Sequence, residues 1–315
     1  MGMNKVLAVG QYSDIDVAAL TDEFGARPLD DLSQIADLSP ALRAEVTAIA
    51  YKGHHPLNGA VMDLLPGLKL IANFGVGYDA INVTDASARG ITVTNTPNVL
   101  NDDVADLAVA MLIMEARKLT ASENWMRDGK WPAGGAYPLA RKMSGRKVGV
   151  LGMGRIGREI ADRLAAFKCE IHYQSRSRKD APSGWTYHAD PVELARAVDD
   201  LVIAVVGGPE TEGFVSAAVI DALGPDGIIV NIARGSVVDE AAMLDALEQG
   251  RLRGAALDVF RAEPNVDPRF LTLPNATILP HVGSATVETR AAMGDLQRQN
   301  VRAHLAGQAL VTPVN

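Results

Sequence analysis

The chain has 315 residues, 48% of them hydrophobic and 22% charged, a balance that fits a folded globular protein rather than a disordered one. That length is more than a single hydrophobic core usually serves, so two domains are expected. A net charge of −8 argues against nucleic acid as the main partner, and the apolar runs are too short to span a membrane. Cys169 is the sole cysteine, which excludes an internal disulfide and a cysteine metal cluster. No signal-peptide pattern is present at the N-terminus. Val6 stands where a myristoylation motif needs Ser or Thr, so a cytoplasmic protein is the expectation.

In chain order, Lys5–Val9 reads as a buried strand and residues 15–24 as a helix stopped by Gly25. Val46–Tyr51 is a second strand, followed by a loop carrying His54 and His55. A short helix over Gly59–Leu65, a strand over Leu68–Ala72, a helix over Asp85–Arg89 and a strand over Ile91–Thr94 complete the first hundred residues. Strands alternating with helices predict a parallel sheet with ligands at its carboxyl ends. From Asn101 a long helix follows, capped by acids and closed by Arg117 and Lys118. It is apolar on more than one face and so is expected to be buried. Residues 122–145 hold two tryptophans and Pro-Ala-Gly-Gly, and read as a long irregular segment, preferably a subunit arm.

The strand Val148–Leu151 then runs into Gly152-Met153-Gly154-Arg155-Ile156-Gly157. A helix with Ile160, Leu164 and Phe167 at helical spacing follows, then a strand over Glu170–Tyr173. Strand, glycine turn, helix, strand is the order of a dinucleotide site, with the helix N-terminus turned to the phosphates. An NAD site wants an acid at the end of the second strand; Gln174-Ser175-Arg176-Ser177-Arg178-Lys179 offers none before Asp180. A hydroxyl and several cations suit a 2′-phosphate, so NADPH is the expected cofactor, with NADH weaker.

Further strands are expected over Leu201–Val206, Ile228–Ile232, Gly254–Val259 and Ala276–Leu279, with a helix over Glu240–Glu248 and a terminal helix over 285–307. Arg234, Glu263 and His281 each fall just past one of these strands. Together they suit hydride transfer to a 2-oxo acid. Arg234 would hold carboxylate and carbonyl through its planar fork, His281 would donate the proton, and Glu263 would fix the imidazole tautomer. His172, His188 and His304 read as strand, surface and helix residues, and no grouping has metal-ligand spacing.

With these motifs in view, the chain resembles the D-isomer-specific 2-hydroxyacid dehydrogenases from about residue 45 onward. The matching stretches are Asn73–Asp79, Val93–Ala108, Val148–Gly157, Val230–Glu240, Ala256–Pro264 and Leu279–Thr286. Within the family it looks most similar to glyoxylate/hydroxypyruvate and hydroxyphenylpyruvate reductases. The resemblance implies an α/β fold of two doubly wound parallel-sheet domains with a cleft between them. A flavodoxin-like substrate domain would comprise residues 1–100 and 287–315, and a Rossmann coenzyme domain 101–286, with hinge crossings near 99–101 and 282–288.

The resemblance also implies Arg234, Glu263 and His281 as the catalytic set, with the amides of Val76 and Gly77 on the substrate carboxylate. Leu100 is implied beside the substrate tail and Asp258 near the nicotinamide. Cofactor contacts are expected at Val104, Gly152, Gly154, Arg155, Ile156, Gly157, Ser175, Arg176, Ser177, Arg178, Val206, Thr211, Ile232, Ala233, Asp258, His281 and Gly283. A homodimer is implied, with the 122–145 arm crossing to the partner and Trp131 or Tyr137 as the aromatic that enters the neighbour's site. One departure stands out. Where the family has Pro-Leu-Thr-Pro-Glu-Thr, this chain has Val206-Gly207-Gly208-Pro209-Glu210-Thr211 and so lacks the hydroxyl expected at 208.

Other readings stay open from sequence. A dinucleotide-sensing binding protein of the corepressor type could share the fold and the three residues. A phosphoglycerate dehydrogenase is possible, though no regulatory domain follows residue 315. Glu263 disfavours a formate dehydrogenase, which carries Gln there.

Overall fold

The structure is a computed structural model and describes residues 5–315. The chain divides into two compact units, one of residues up to Leu100 together with Thr286–Asn315, the other Asn101–Ala285.

The first unit runs β1 (Val6–Gly10), α1 (Asp14–Phe24), β2 (Arg27–Leu29), α2 (Pro40–Glu45), β3 (Ala48–Lys52), α3 (Gly59–Met62), β4 (Leu70–Asn73), α4 (Val83–Ala88) and β5 (Thr92–Thr94). All its strand pairs are parallel, in the order β2-β1-β3-β4-β5. That is the doubly wound order of a flavodoxin-like sheet. Alternation along the strands sorts side chains into two layers. Leu7, Val9, Ile49, Tyr51 and Ile71 pack on one side, and Val6, Ala8, Ala48, Ala50 and Leu70 on the other.

The second unit runs α5 (Asn101–Arg117), α6 (Leu119–Arg127), β6 (Lys147–Leu151), α7 (Arg155–Ala166), β7 (Glu170–Gln174), β8 (Thr186–His188), α8 (Pro191–Ala197), β9 (Asp200–Ile203), α9 (Ala217–Leu223), β10 (Ile228–Asn231), α10 (Glu240–Glu248), β11 (Gly254–Leu257) and β12 (Ala276–Ile278). The seven strands are parallel in the order β12-β11-β10-β9-β6-β7-β8, with the Rossmann reversal between β6 and β9. The last helix, α11 (Val287–Leu305), belongs to the first unit. Fully buried Gln297 explains its seat: its amide donates to the Ala72 carbonyl at 2.7 Å and to the Tyr12 hydroxyl at 2.8 Å.

As the sequence predicted, α5 is buried, through Val104, Ala108, Met111 and Leu112 among others. Its acids Asp102 and Asp106 pair with Arg163 of α7 at 2.6 and 2.5 Å. Three expectations need correction. The 122–145 segment is not irregular throughout, because its first residues complete α6 as far as Arg127. His188 is not a surface residue: it ends β8, half-buried, and stacks on His172 with ring centroids 5.2 Å apart. The stretches 180–199 and 212–227 carry β8, α8 and α9, for which no element was expected. The start of α8 was legible: Asp190 caps the amides of Val192 and Glu193, and Pro191 takes the first helical position.

Beyond α6 the arm folds on itself. Trp125 and Tyr137 meet edge to face at 5.7 Å, and the Tyr137 hydroxyl donates to the Lys118 carbonyl at 3.2 Å. Trp131 is left 64% exposed, and Leu139 wholly so. Half-buried Arg141 anchors the far end of the arm through Asp200.

Candidate active site

The site of the second unit is built at the carboxyl ends of its strands. After β6 the chain turns at Gly152 with φ +98°, where a Cβ would lie 2.7 Å from the Val205 amide nitrogen. A Cβ on Gly157 would sit 1.9 Å from the Gly152 carbonyl oxygen, so helix α7 packs against the turn only because both residues are glycine. Gly154 differs, since a Cβ there would point into open space. It is the N-cap of the twelve-residue α7 and offers no side-chain cap. The first amides of α7 therefore face an open cradle, which fits the diphosphate of a dinucleotide. Arg155 is exposed in the first turn and Ile156 half-buried behind it.

At the end of β7, Ser175 is buried and its hydroxyl donates to the Ser177 carbonyl at 2.7 Å. Tyr187 of β8 donates to the Ser175 carbonyl at 3.2 Å, and the Arg178 guanidinium lies 5.6 Å from the Tyr187 ring centroid. The loop backbone is thus tied down while Arg176, Ser177 and Arg178 stay exposed. After β9, Val206 is 73% exposed and the Thr211 hydroxyl donates to the Val206 carbonyl at 2.6 Å. The Thr211 proton closes the loop, a role its sequence position did not reveal.

After β10, buried Asn231 organises the turn. Its side-chain oxygen accepts from the Ala233 amide at 3.0 Å, and its amide donates to the Arg234 carbonyl at 2.9 Å. Ile232 is half-buried and Ala233 buried. The Arg234 stem lies against Gly207, where a Cβ would come within 2.5 Å of Arg234 Cγ. Gly207 therefore makes room for this arginine, whereas a Cβ on Gly208 would meet open space. The missing threonine is visible in the sequence but this packing is not, and the signal for Asn231 is a polar strand end among apolar neighbours.

At β11 and β12 three predicted residues come together. His281 Nδ1 lies 2.7 Å from Glu263 Oε2, and Glu263 Oε1 accepts from the Phe260 amide at 2.9 Å. The His281 backbone is left-handed at φ +55°, a strained region for a side-chain-bearing residue. Asp258, 1% exposed, holds it there by accepting from the amides of Val282 and Gly283, both at 2.7 Å. Burial pushes the Asp258 carboxyl above its usual range, against the pull of those two amides. Gly283 leaves room for Asp258 and for Val104, whose nearest methyl would lie 3.5 Å from a Cβ at 283. A cavity of about 290 Å³ adjoins the pair, with Phe260, Pro264, Val266, Ile278 and Leu279 forming its apolar wall.

In the first unit the loop after β4 has its carbonyls turned inward. Asn73 donates to the carbonyls of Gly75 and Gly77 at 3.1 and 2.8 Å, and Asn95 to that of Val76 at 2.9 Å. The Thr96 amide donates to the Gly75 carbonyl at 2.9 Å. With those oxygens occupied, no acceptor among the described residues takes the Val76 or Gly77 amide, an arrangement suited to an anion. Leu100 is buried, at 6% exposure. His55 pairs with Asp31.

Among the described residues, no helix is long and apolar enough to cross a membrane. Residues 109–283 match the model of the D-isomer-specific 2-hydroxyacid dehydrogenase NAD-binding domain. The chain is 44% identical to a hydroxyphenylpyruvate reductase of Plectranthus scutellarioides over 275 residues, 87% of each chain. It is 43% identical to a 2-ketogluconate reductase of Gluconobacter oxydans over 98% of each. An NADPH-dependent glyoxylate/hydroxypyruvate reductase of Sinorhizobium meliloti, solved with NADP and malonate, superposes with a TM-score of 0.94 at 42% identity, covering 99% of this chain and 97% of that one. The glycine cradle, the His281–Glu263 pair and these likenesses agree: the chain belongs to the D-isomer-specific 2-hydroxyacid dehydrogenases, oxidoreductases that act on the CH–OH group of 2-hydroxy acids.

Proposed function

We propose that the protein is an NADPH-dependent reductase of small 2-oxo acids, glyoxylate and hydroxypyruvate foremost, with arylpyruvates in the same head-group class, giving D-2-hydroxy acids. The observation that carries this reading is the His281–Glu263 pair at 2.7 Å, fixed by Asp258 at the strand ends of a sheet with an open glycine cradle. When bound, the reduced nicotinamide supplies a hydride to C2. Glu263 accepts from Nδ1–H of His281, which leaves Nε2 to carry the proton given to the carbonyl oxygen. Arg234 offers a planar fork to the carboxylate and carbonyl oxygen, and the amides of Val76 and Gly77 offer two further donors to the carboxylate.

The preference for NADPH rests on Arg176 and Arg178, exposed on a loop whose backbone Ser175 and Tyr187 fix. Such cations suit a 2′-phosphate. The working assembly is a homodimer in which the arm meets a second copy. Exposed Trp131 is the aromatic that reaches the partner, because Tyr137 is spent inside its own arm. A steady-state panel of glyoxylate, hydroxypyruvate and phenylpyruvate with NADPH and with NADH tests the reading. Arg176→Ala should lower kcat/KM for NADPH about tenfold or more, the size of one charge-assisted contact, and affect NADH much less. Unchanged efficiency with NADPH would overturn the assignment.

A further inference from the structure

The loop after β7 carries the exposed cations Arg176, Arg178 and Lys179 close together. Left to themselves such charges repel one another, and an exposed loop spreads. Here the backbone is bracketed instead. The Tyr173 hydroxyl accepts from the Lys179 amide and donates to the Lys179 carbonyl, each at 3.2 Å. At the next residue, Arg158 of α7 donates through Nη1 to the Asp180 carbonyl at 3.1 Å. Its Nε donates to Asp162, one turn along the same helix, at 2.9 Å. Its guanidinium carbon lies 4.9 Å from the centroid of the Trp185 ring.

Trp185 closes the loop. Its amide donates to the Pro182 carbonyl at 2.9 Å, and its side chain packs, with Ala181 and Tyr187, against the core that holds Ile160 and Tyr173. Arg158 therefore has its Nε, its Nη1 and the face of its fork engaged. Asp180 and Trp185 both belong to the loop, and neither has a role in the proposed hydride transfer. The helix that carries Arg158 is also the one whose first amides face the open glycine cradle. One rigid element thus fixes the cradle and the loop against each other.

We propose that Arg158 and Trp185 form a clamp that holds the 175–185 loop in the shape that receives the 2′-phosphate of NADPH, and so set the preference for NADPH over NADH. The proposal rests on the reading of Arg176 and Arg178 as the ligands of that phosphate. Arg158 and Trp185 are positioning residues, acting through the loop backbone. Without the clamp the loop must be ordered at the moment of binding, and each residue so ordered costs affinity. NADH makes no demand on the loop cations, so its affinity is indifferent to the clamp.

Calorimetric titration with 2′,5′-ADP and with 5′-AMP isolates the phosphate from the rest of the cofactor. Arg158→Met keeps the stem and removes the guanidinium. It should weaken 2′,5′-ADP and NADPH about fivefold or more, the factor for ordering one backbone residue on binding, and leave 5′-AMP and NADH within about twofold. Trp185→Leu should act the same way, and the double variant should be no weaker than the more affected single one, because the two side chains act together. Trypsin reads the loop directly, since Arg176, Arg178 and Lys179 are exposed cleavage points. Arg158→Met should speed cleavage there severalfold, with cleavage elsewhere in the chain as the control. Equal weakening of 2′,5′-ADP and 5′-AMP, or unchanged cleavage at the loop, would overturn the clamp. An unaltered enzyme that binds 5′-AMP as tightly as 2′,5′-ADP would instead overturn the NADPH reading, and the cleavage rates would still decide whether Arg158 holds the loop.

Discussion

Replacing Glu263 by Gln tests the acid–base pair most directly. The carboxylate serves two donors at once, Phe260 N–H on Oε1 at 2.9 Å and His281 Nδ1 on Oε2 at 2.7 Å. Gln keeps the shape but has only one oxygen. If that oxygen stays on the Phe260 amide, the new NH2 faces His281 Nδ1 and imposes the opposite tautomer, with nothing to stabilise an imidazolium. If the oxygen turns to His281, the NH2 opposes the Phe260 N–H and leaves two donors face to face. Either way one charge-assisted hydrogen bond is lost, about 1.5–3 kcal/mol, which corresponds to roughly a tenfold to hundredfold fall in turnover. The assay is steady-state oxidation of NADPH with glyoxylate, alongside the dissociation constant of NADPH. The expected result is a large fall in kcat with little change in cofactor affinity. A kcat within about threefold of the unaltered enzyme would refute the argument that Glu263 governs the protonation of His281.

Three further outcomes follow from the geometry. Asp258→Asn puts a donor where the 282 or 283 amide needs an acceptor, so unfolding free energy in urea should fall by about 2 kcal/mol and kcat should fall as His281 leaves its left-handed conformation. Gly207→Ala drives a methyl into Arg234 Cγ, so KM for glyoxylate should rise more than kcat falls; an unchanged KM would show that Arg234 does not depend on this packing. Burial holds both His304 and His188 below the ordinary imidazole range. A folded-state value below the unfolded one, about 6.5, gives stability that is present above that value and lost as pH falls through the folded one. Urea midpoints should therefore drop between pH 7.5 and pH 5, and His304→Gln should drop less; an equal drop would remove His304 from the account.

Much of this protein could be read from its residues because the relevant physics is local. Gly152 and Gly157 are dictated by a turn and a helix–strand approach a few residues long, so their spacing alone announces a dinucleotide cradle. Strand ends in a parallel sheet share one edge, so Arg234, Glu263 and His281 could be picked out by position before any distance was known. The short edge strand β8 and the helices α8 and α9 are hard to read because their apolar pattern is brief, and α9, unlike α8, has no side chain capping its first amides.

What tertiary structure alone decided is which group answers which. No local pattern pairs Asp258 with amides 24 and 25 residues away, seats Arg234 against Gly207, or brings Gln297 of the last helix to the carbonyl of Ala72. The same holds for Lys52, which in the sequence is one more cation at a strand end. Only folding sets the Tyr12 and Phe74 rings beside its half-buried ammonium. Periodicity and turn chemistry select the elements, but hydrogen bonds and charges act over a few ångströms in space, and chain separation carries no record of those distances.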